Sequence, residues 1–241
     1  MLGLALAVAL AAVHVLAGRL RVLDRVPRSA WLSGAGGASV AYVFVHLLPE
    51  LAASQETLAA SAGAALEGLE AHAWLLALLG LAVFYGLERA AVRSRAEEVS
   101  ETGRDQTEPG VFWLHMGFFA VYNAIIGYLL LHREDPGVGA LLVYASAMAL
   151  HFLVNDYGLR EHHRALYDRI GRWVLGAAVI GGCLLGTVTR VGEPALAMLV
   201  AFLGGAVVLN VLKEELPAER ESRFWAFALG ATAYAALLLL A

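Results

Sequence analysis

The segment Gly36-Gly37-Ala38-Ser39-Val40-Ala41-Tyr42-Val43-Phe44-Val45-His46-Leu47-Leu48-Pro49-Glu50 returns in altered form as Gly204-Gly205-Ala206-Val207-Val208-Leu209-Asn210-Val211-Leu212-Lys213-Glu214-Glu215-Leu216-Pro217. Gly36 and Gly204, Gly37 and Gly205, Ala38 and Ala206, Val40 and Val208, Val43 and Val211, Leu48 and Leu216, and Pro49 and Pro217 are each 168 residues apart. Each copy opens on two small residues, runs on through apolar ones and closes on a charged Leu-Pro ending. Solenoid periods are about 20–50 residues, so this spacing excludes one. Two related halves in a hydrophobic chain suggest instead the duplicated architecture of transporters. Chance similarity within the small alphabet of membrane helices is the competing reading.

Hydrophobic residues make up 60% of the 241 and the mean hydropathy is +0.68, above the roughly 45–50% apolar usage of soluble domains. The apolar residues fall into runs close to the ~20 residues that cross a bilayer. The runs are Leu2–Gly18, Leu32–Ala53, Ala73–Ala91, Val111–Leu131, Val138–Leu159, Trp173–Val188, Ala195–Leu212 and Phe224–Ala241. The expected fold is therefore an all-α integral membrane protein, one polytopic domain of eight spans. The first run has no basic residue before it and reads as a span rather than a cleaved signal. Cys183 is the single cysteine, which excludes an internal disulfide, and no Cys/His cluster suggests a zinc finger or haem.

Cytoplasmic loops collect Lys and Arg. The odd loops carry Arg19, Arg21, Arg25 and Arg28, then Arg89, Arg93, Arg95 and Arg104, then Arg160, Arg164, Arg169 and Arg172, then Lys213, Arg220 and Arg223. The even loops carry Arg133 and Arg190 alone. Eight spans in a cell (inner) membrane, with both termini outside the cytoplasm, satisfy this bias at every loop. The second span then points outward and the seventh inward, as an inverted repeat requires. The connector Ser54–His72 reads as a solvated acidic link and Ser94–Gly110 as a mobile cytoplasmic loop.

Ionisable groups inside spans are costly and face a partner or a water-filled cavity. His46 and Glu50 share a helix face, with Pro49 between them freeing a backbone carbonyl. Tyr122 and Asn123 sit near the middle of the fourth span. In the fifth, His151 and Asn155 are four apart and Asp156 follows, with Glu161, His162 and His163 further toward the cytoplasm. Imidazole, carboxylate and amide oxygen suit a divalent first-row metal. Interhelical hydrogen bonding is the plainer use of the same residues, and a solvated loop that of Glu161, His162 and His163. The pairs Gly181-Gly182 and Gly204-Gly205 read as places where helices pack closely.

The chain resembles the ZIP (Zrt/Irt-like) metal-ion transporters. His46-Leu47-Leu48-Pro49-Glu50 resembles that family's second-helix ending. Val83-Phe84-Tyr85-Gly86-Leu87-Glu88-Arg89 is similar to the close of its third, and Glu214-Glu215-Leu216-Pro217 to the close of its seventh. The resemblance implies eight spans, with helices one to three and six to eight forming an inverted repeat around four and five. It also implies a two-metal site built from the fourth and fifth helices. There the match thins: Asn123 and Gly127 fit the fourth-helix motif, while Tyr122, Ile125 and Ile126 stand at its His, Pro and Glu positions. In the fifth, His151 and Asp156 fit, and the intervening Glu, Pro and His are replaced.

What the resemblance implies is a transporter, not an enzyme, carrying a divalent metal ion as substrate, zinc foremost. The ion would enter near His46 and Glu50, rest at His151, Asn155, Asp156 and Asn123, and leave past Glu161, His162 and His163 while one helix bundle rocks against the other. The alternative is a transport-inactive relative serving as a binding or accessory subunit of a larger membrane complex, which Tyr122 and Ile126 favour. Expected partners are the bilayer, the metal ion and a second copy or larger complex, with no nucleic acid. The basic-residue asymmetry predicts that a label at Glu67 is reached from outside and one at Thr102 only from the cytoplasm. Reversed accessibility at both positions overturns the orientation.

Overall fold

A computed structural model describes residues 1–16, 28–61, 72–103, 105–133, 137–215 and 223–240. Among them the regular structure is entirely helical: α1 (Leu2–Leu16), α2 (Arg28–Tyr42), α3 (Leu48–Ser61), α4 (Ala73–Thr102), α5 (Pro109–Leu129), α6 (Val138–Leu166), α7 (Arg172–Val188), α8 (Glu193–Glu215) and α9 (Phe224–Leu240). Within the described residues six stretches are long and apolar enough to cross a membrane: Ser33–Ser61, Ala73–Thr102, Pro109–Leu129, Val138–Arg160, Tyr167–Val188 and Glu193–Lys213. Leu2–Leu16 and Phe224–Leu240 are shorter apolar helices. The protein is a helical, multi-pass membrane protein.

Local chemistry accounts for the breaks. Pro49 has no N–H to give the Val45 carbonyl, and its ring would crowd that oxygen in a regular helix. The backbone widens into a π turn over Val43–Leu47, where the Leu48 N–H bonds Val43 O, so α2 and α3 join without a break. Pro109 opens α5 at the position where its missing N–H is harmless. Thr189 is extended after α7, which ends that helix.

Two sequence expectations are corrected here. Residues Ser94–Thr102 are the last turns of α4 rather than a mobile loop. Their polar composition conceals good helix formers: Arg93 bonds Glu97 at 2.7 Å, the Thr102 hydroxyl donates to Glu98 O, and Gly103 takes a φ of +71° just past the helix end. The acidic connector likewise remains helical as far as Ser61, while residues 62–71 lie outside the described set.

The chain divides into two compact units, Met1–Val26 with Gly86–Thr189, and Pro27–Tyr85 with Arg190–Ala241. In the second unit, helices meet backbone to backbone at glycines. A Cβ built on Gly37 would lie 2.0 Å from Phe227 O, and one on Gly205 would lie 1.7 Å from Ala77 O. One on Gly230 would lie 2.0 Å from Gly34 O, and one on Gly80 2.0 Å from Phe202 O. Gly37 and Gly205 are 168 residues apart, as are Gly34 and Phe202. Their partners Phe227 and Ala77 are 150 apart, as are Gly230 and Gly80. The packing of α9 on α2 thus repeats in the packing of α4 on α8. A Cβ built on Gly204 would lie 3.1 Å from the Leu51 side chain, and Leu58 shares a hydrophobic cluster with Leu51, Ala197 and Ala201. Residues rising along α3 therefore meet residues falling along α8, so the two are antiparallel.

In the first unit α5 and α6 run antiparallel, with Tyr144 bonded to Ile126 O and His163 bonded to His115. By α7 the chain has reversed. Gly171 meets Met116 and Gly186 meets Tyr128 and His132, so α7 runs with α5. A π turn over Tyr167–Gly171 joins α6 to α7. Gly182 and Gly127 provide the close approach, a Cβ on each falling within 2.0 Å of Ala124 O or Val179 O.

These contacts predict the effect of one added methyl group. Gly205→Ala should cost about 1–3 kcal/mol by overpacking, seen as a fall of several degrees in melting temperature in detergent. Gly181→Ala, whose new methyl would meet nothing within 4 Å, should leave it unchanged.

Candidate functional site

Hydrocarbon offers no hydrogen bonds, so polar side chains buried in a spanning bundle must satisfy one another. Among the described residues, every buried His, Asn and Asp belongs to the first unit: His14, His115, Asn123, His151, Asn155, Asp156 and His163. The buried polar side chains of the second unit are serines, Ser33, Ser39 and Ser54.

The centre is His14 of α1, wholly buried. Its Nδ1 lies 2.7 Å from Asp156 Oδ1 and its Nε2 lies 2.8 Å from Asn123 Oδ1. Asn123 donates its amide to Phe119 O at 2.7 Å, which turns Oδ1 toward the imidazole, so His14 Nε2 must be the donor there. One proton between Nδ1 and Oδ1 then decides whether the pair is imidazolium and carboxylate or imidazole and carboxylic acid. The Tyr167 hydroxyl donates to the same Asp156 oxygen. Asp156 Oδ2 and Asn155 Nδ2 are buried with no hydrogen-bond partner among the described residues. Phe152 packs its ring 4.3 Å from that of His14 and closes one side.

Of the residues read from the sequence, Asn123 and Asp156 are thus brought together, and His14 joins them. His151 Nε2 is 2.6 Å from the Tyr122 hydroxyl, and Asn155 is buried beside Asp156 in sequence. His46 and Glu50 form a half-exposed pair, 3.7 Å apart across the π turn, in the second unit. A group of three or more His, Cys, Asp or Glu able to hold a metal is absent among the described residues.

His162 and His163 correct another expectation, that of a solvated loop. Both lie on α6, which continues past its apolar stretch Val138–Arg160. His162 bonds Glu88 at 2.8 Å, while His163 bonds Thr107 at 2.6 Å and His115 at 2.9 Å. The Glu161 side chain lies outside the described residues.

His14 escaped the sequence reading because a lone histidine in a 15-residue apolar helix has no polar neighbour at helical spacing. Its partner is 142 residues away. The only available signal was that an imidazole in such a run requires a partner somewhere.

No protein-family model matches this chain, and no curated protein matches it.

Burial, then the neighbouring His115 and His162, hold His163 down at about 3 against an ordinary 6.5, with Glu88 opposing. The unfolded chain binds a proton near pH 6.5 that the folded one refuses until about 3. Stability present above 6.5 is therefore lost as pH falls through that window. Melting temperature should drop between pH 6.5 and 4, and His163→Gln, whose amide keeps hydrogen-bonding capacity, should flatten the slope.

Proposed function

We propose that this chain is a ZIP-like transporter of a divalent first-row metal ion, zinc foremost, with eight spans in an inverted repeat and both termini outside the cytoplasm. The doubled glycine contacts, Gly37 on Phe227 and Gly205 on Ala77, support the repeat, as does the antiparallel run of α3 against α8. Support for the cargo comes from one observation, the buried Asp156 Oδ2, which has no hydrogen-bond partner among the described residues. A buried acceptor left unbonded costs about 1–3 kcal/mol, and a cation held there relieves that cost. Imidazole and amide oxygen are ligand types that borderline-hard divalent ions accept, but both His14 nitrogens and Asn123 Oδ1 are already hydrogen-bonded, so His14 or Asn123 would join the ion only by giving up one of those bonds. His151, the other expected ligand, is bonded to Tyr122 and would have to release that bond first.

The second reading, a transport-inactive relative within a larger membrane complex, draws on the contact of Tyr122 with His151 and on the loss of the Glu and Pro positions of the resembled motifs. Metal analysis of the purified protein, followed by uptake into proteoliposomes, separates the two. Under the transport reading Asp156→Asn removes the central carboxylate and weakens metal binding by at least ~1–3 kcal/mol, about 5- to 150-fold, and His151→Ala lowers bound metal as well. Unchanged bound metal in both variants puts the inactive reading in front.

A further inference from the structure

We propose that Arg172, in the seam where α7 meets the end of α1, holds the phosphate group of an anionic phospholipid. The site is independent of any cargo and draws only on the chain's being a membrane protein.

Arg93, Arg95 and Arg160 each meet a carboxylate, that of Glu97, Asp105 and Asp168, at 2.7, 2.6 and 2.8 Å. Arg172 has no such partner among the described residues. Its side chain is half-buried, and its Nε is shut away with no acceptor among the described residues. Nη1 donates to Val15 O at 3.5 Å, beyond the usual range for such a bond. A guanidinium carries five N–H donors in a planar fork, two of which can meet two oxygens of one phosphate. The depth is right for that partner. Gly171 meets Met116, so Trp113 of α5 and Trp173 of α7 stand at one end of the first unit, both exposed. Exposed tryptophans at the end of a span mark the headgroup level, and the Arg172 guanidinium lies 5.4 Å from the centre of the Trp173 ring. Basic seams between membrane helices are where anionic headgroups are held. A choline lipid brings its own cation beside the phosphate, so an arginine without a carboxylate favours an anionic lipid. Capping the last carbonyls of α1 is the competing role, but it engages one donor of the five, and weakly.

The test places full-length wild type, Arg172→Gln and Arg169→Gln in nanodiscs of phosphatidylcholine, with or without added phosphatidylglycerol. Arg169 lies exposed on the π turn, so its loss removes an equal charge outside the seam. Wild type should melt several degrees higher with phosphatidylglycerol than without it. Arg172→Gln should lose that gain and retain about five- to tenfold less phosphatidylglycerol in native mass spectra, while Arg169→Gln behaves as wild type. Where glutamine prevents folding, Arg172→Lys, which keeps the charge and loses the fork, takes its place, and full lipid retention by it overturns the proposal. So does a melting temperature lowered equally in both bilayers by Arg172→Gln, which makes the residue a cap of α1. Equal losses in Arg169→Gln reduce the effect to general charge attraction and sink the site. A gain reproduced by inorganic phosphate in phosphatidylcholine alone assigns the site to the free anion and overturns the lipid.

Discussion

The 2.7 Å contact between His14 and Asp156 is the constraint on which the first unit depends. Neither group is tolerable alone in hydrocarbon, where an unpaired charge or unbonded polar atom costs several kcal/mol. Meeting, they draw α1 against α6, and the second ring nitrogen draws in Asn123 of α5. Tyr167 ties the π turn to the same carboxylate. Removing one member leaves the others buried without partners, so the group is expected to hold or fail together. Interior glycines let α5 and α7 close around it.

The second unit is held by other means. Its buried polar side chains are serines, and its helices touch through backbone at Gly37, Gly80, Gly205 and Gly230. Without a hydrophobic driving force inside a membrane, such close van der Waals approach is the chief source of helix association. The two copies of the opening sequence stretch thus share a packing solution, while the titratable interior belongs to the other unit. The matched stretches share contacts rather than chemistry.

How much of this could be read from the chain follows from range. Apolar runs are local, so the helices in Val111–Leu131 and Val138–Leu159 were legible, and the echo at 168 residues was visible because identity survives translation along a sequence. What each glycine touches was not legible, since Gly205 gives no sign that Ala77 lies opposite. Asn123 and Asp156 stood out as polar residues in apolar surroundings, but their connection through His14 is a tertiary fact. Ser94–Thr102 was misjudged for a different reason: charge density suggested disorder, whereas Arg93 with Glu97 and Thr102 with Glu98 are helix-supporting spacings. The same bias toward composition placed His162 and His163 in a loop.

The position of His14 on the first helix has a consequence for synthesis. At about 5–20 residues per second, the 142 residues that separate it from Asp156 take roughly 7–30 s to emerge from a ribosome. During that interval the imidazole has no carboxylate to meet, and Asn123 arrives only after most of the wait has passed. Until its late-born partners arrive, the nascent first helix carries the cost of an unbonded imidazole wherever lipid surrounds it, which favours wetter surroundings for that interval. The order of translation, as much as the final contacts, sets when this helix can settle into lipid.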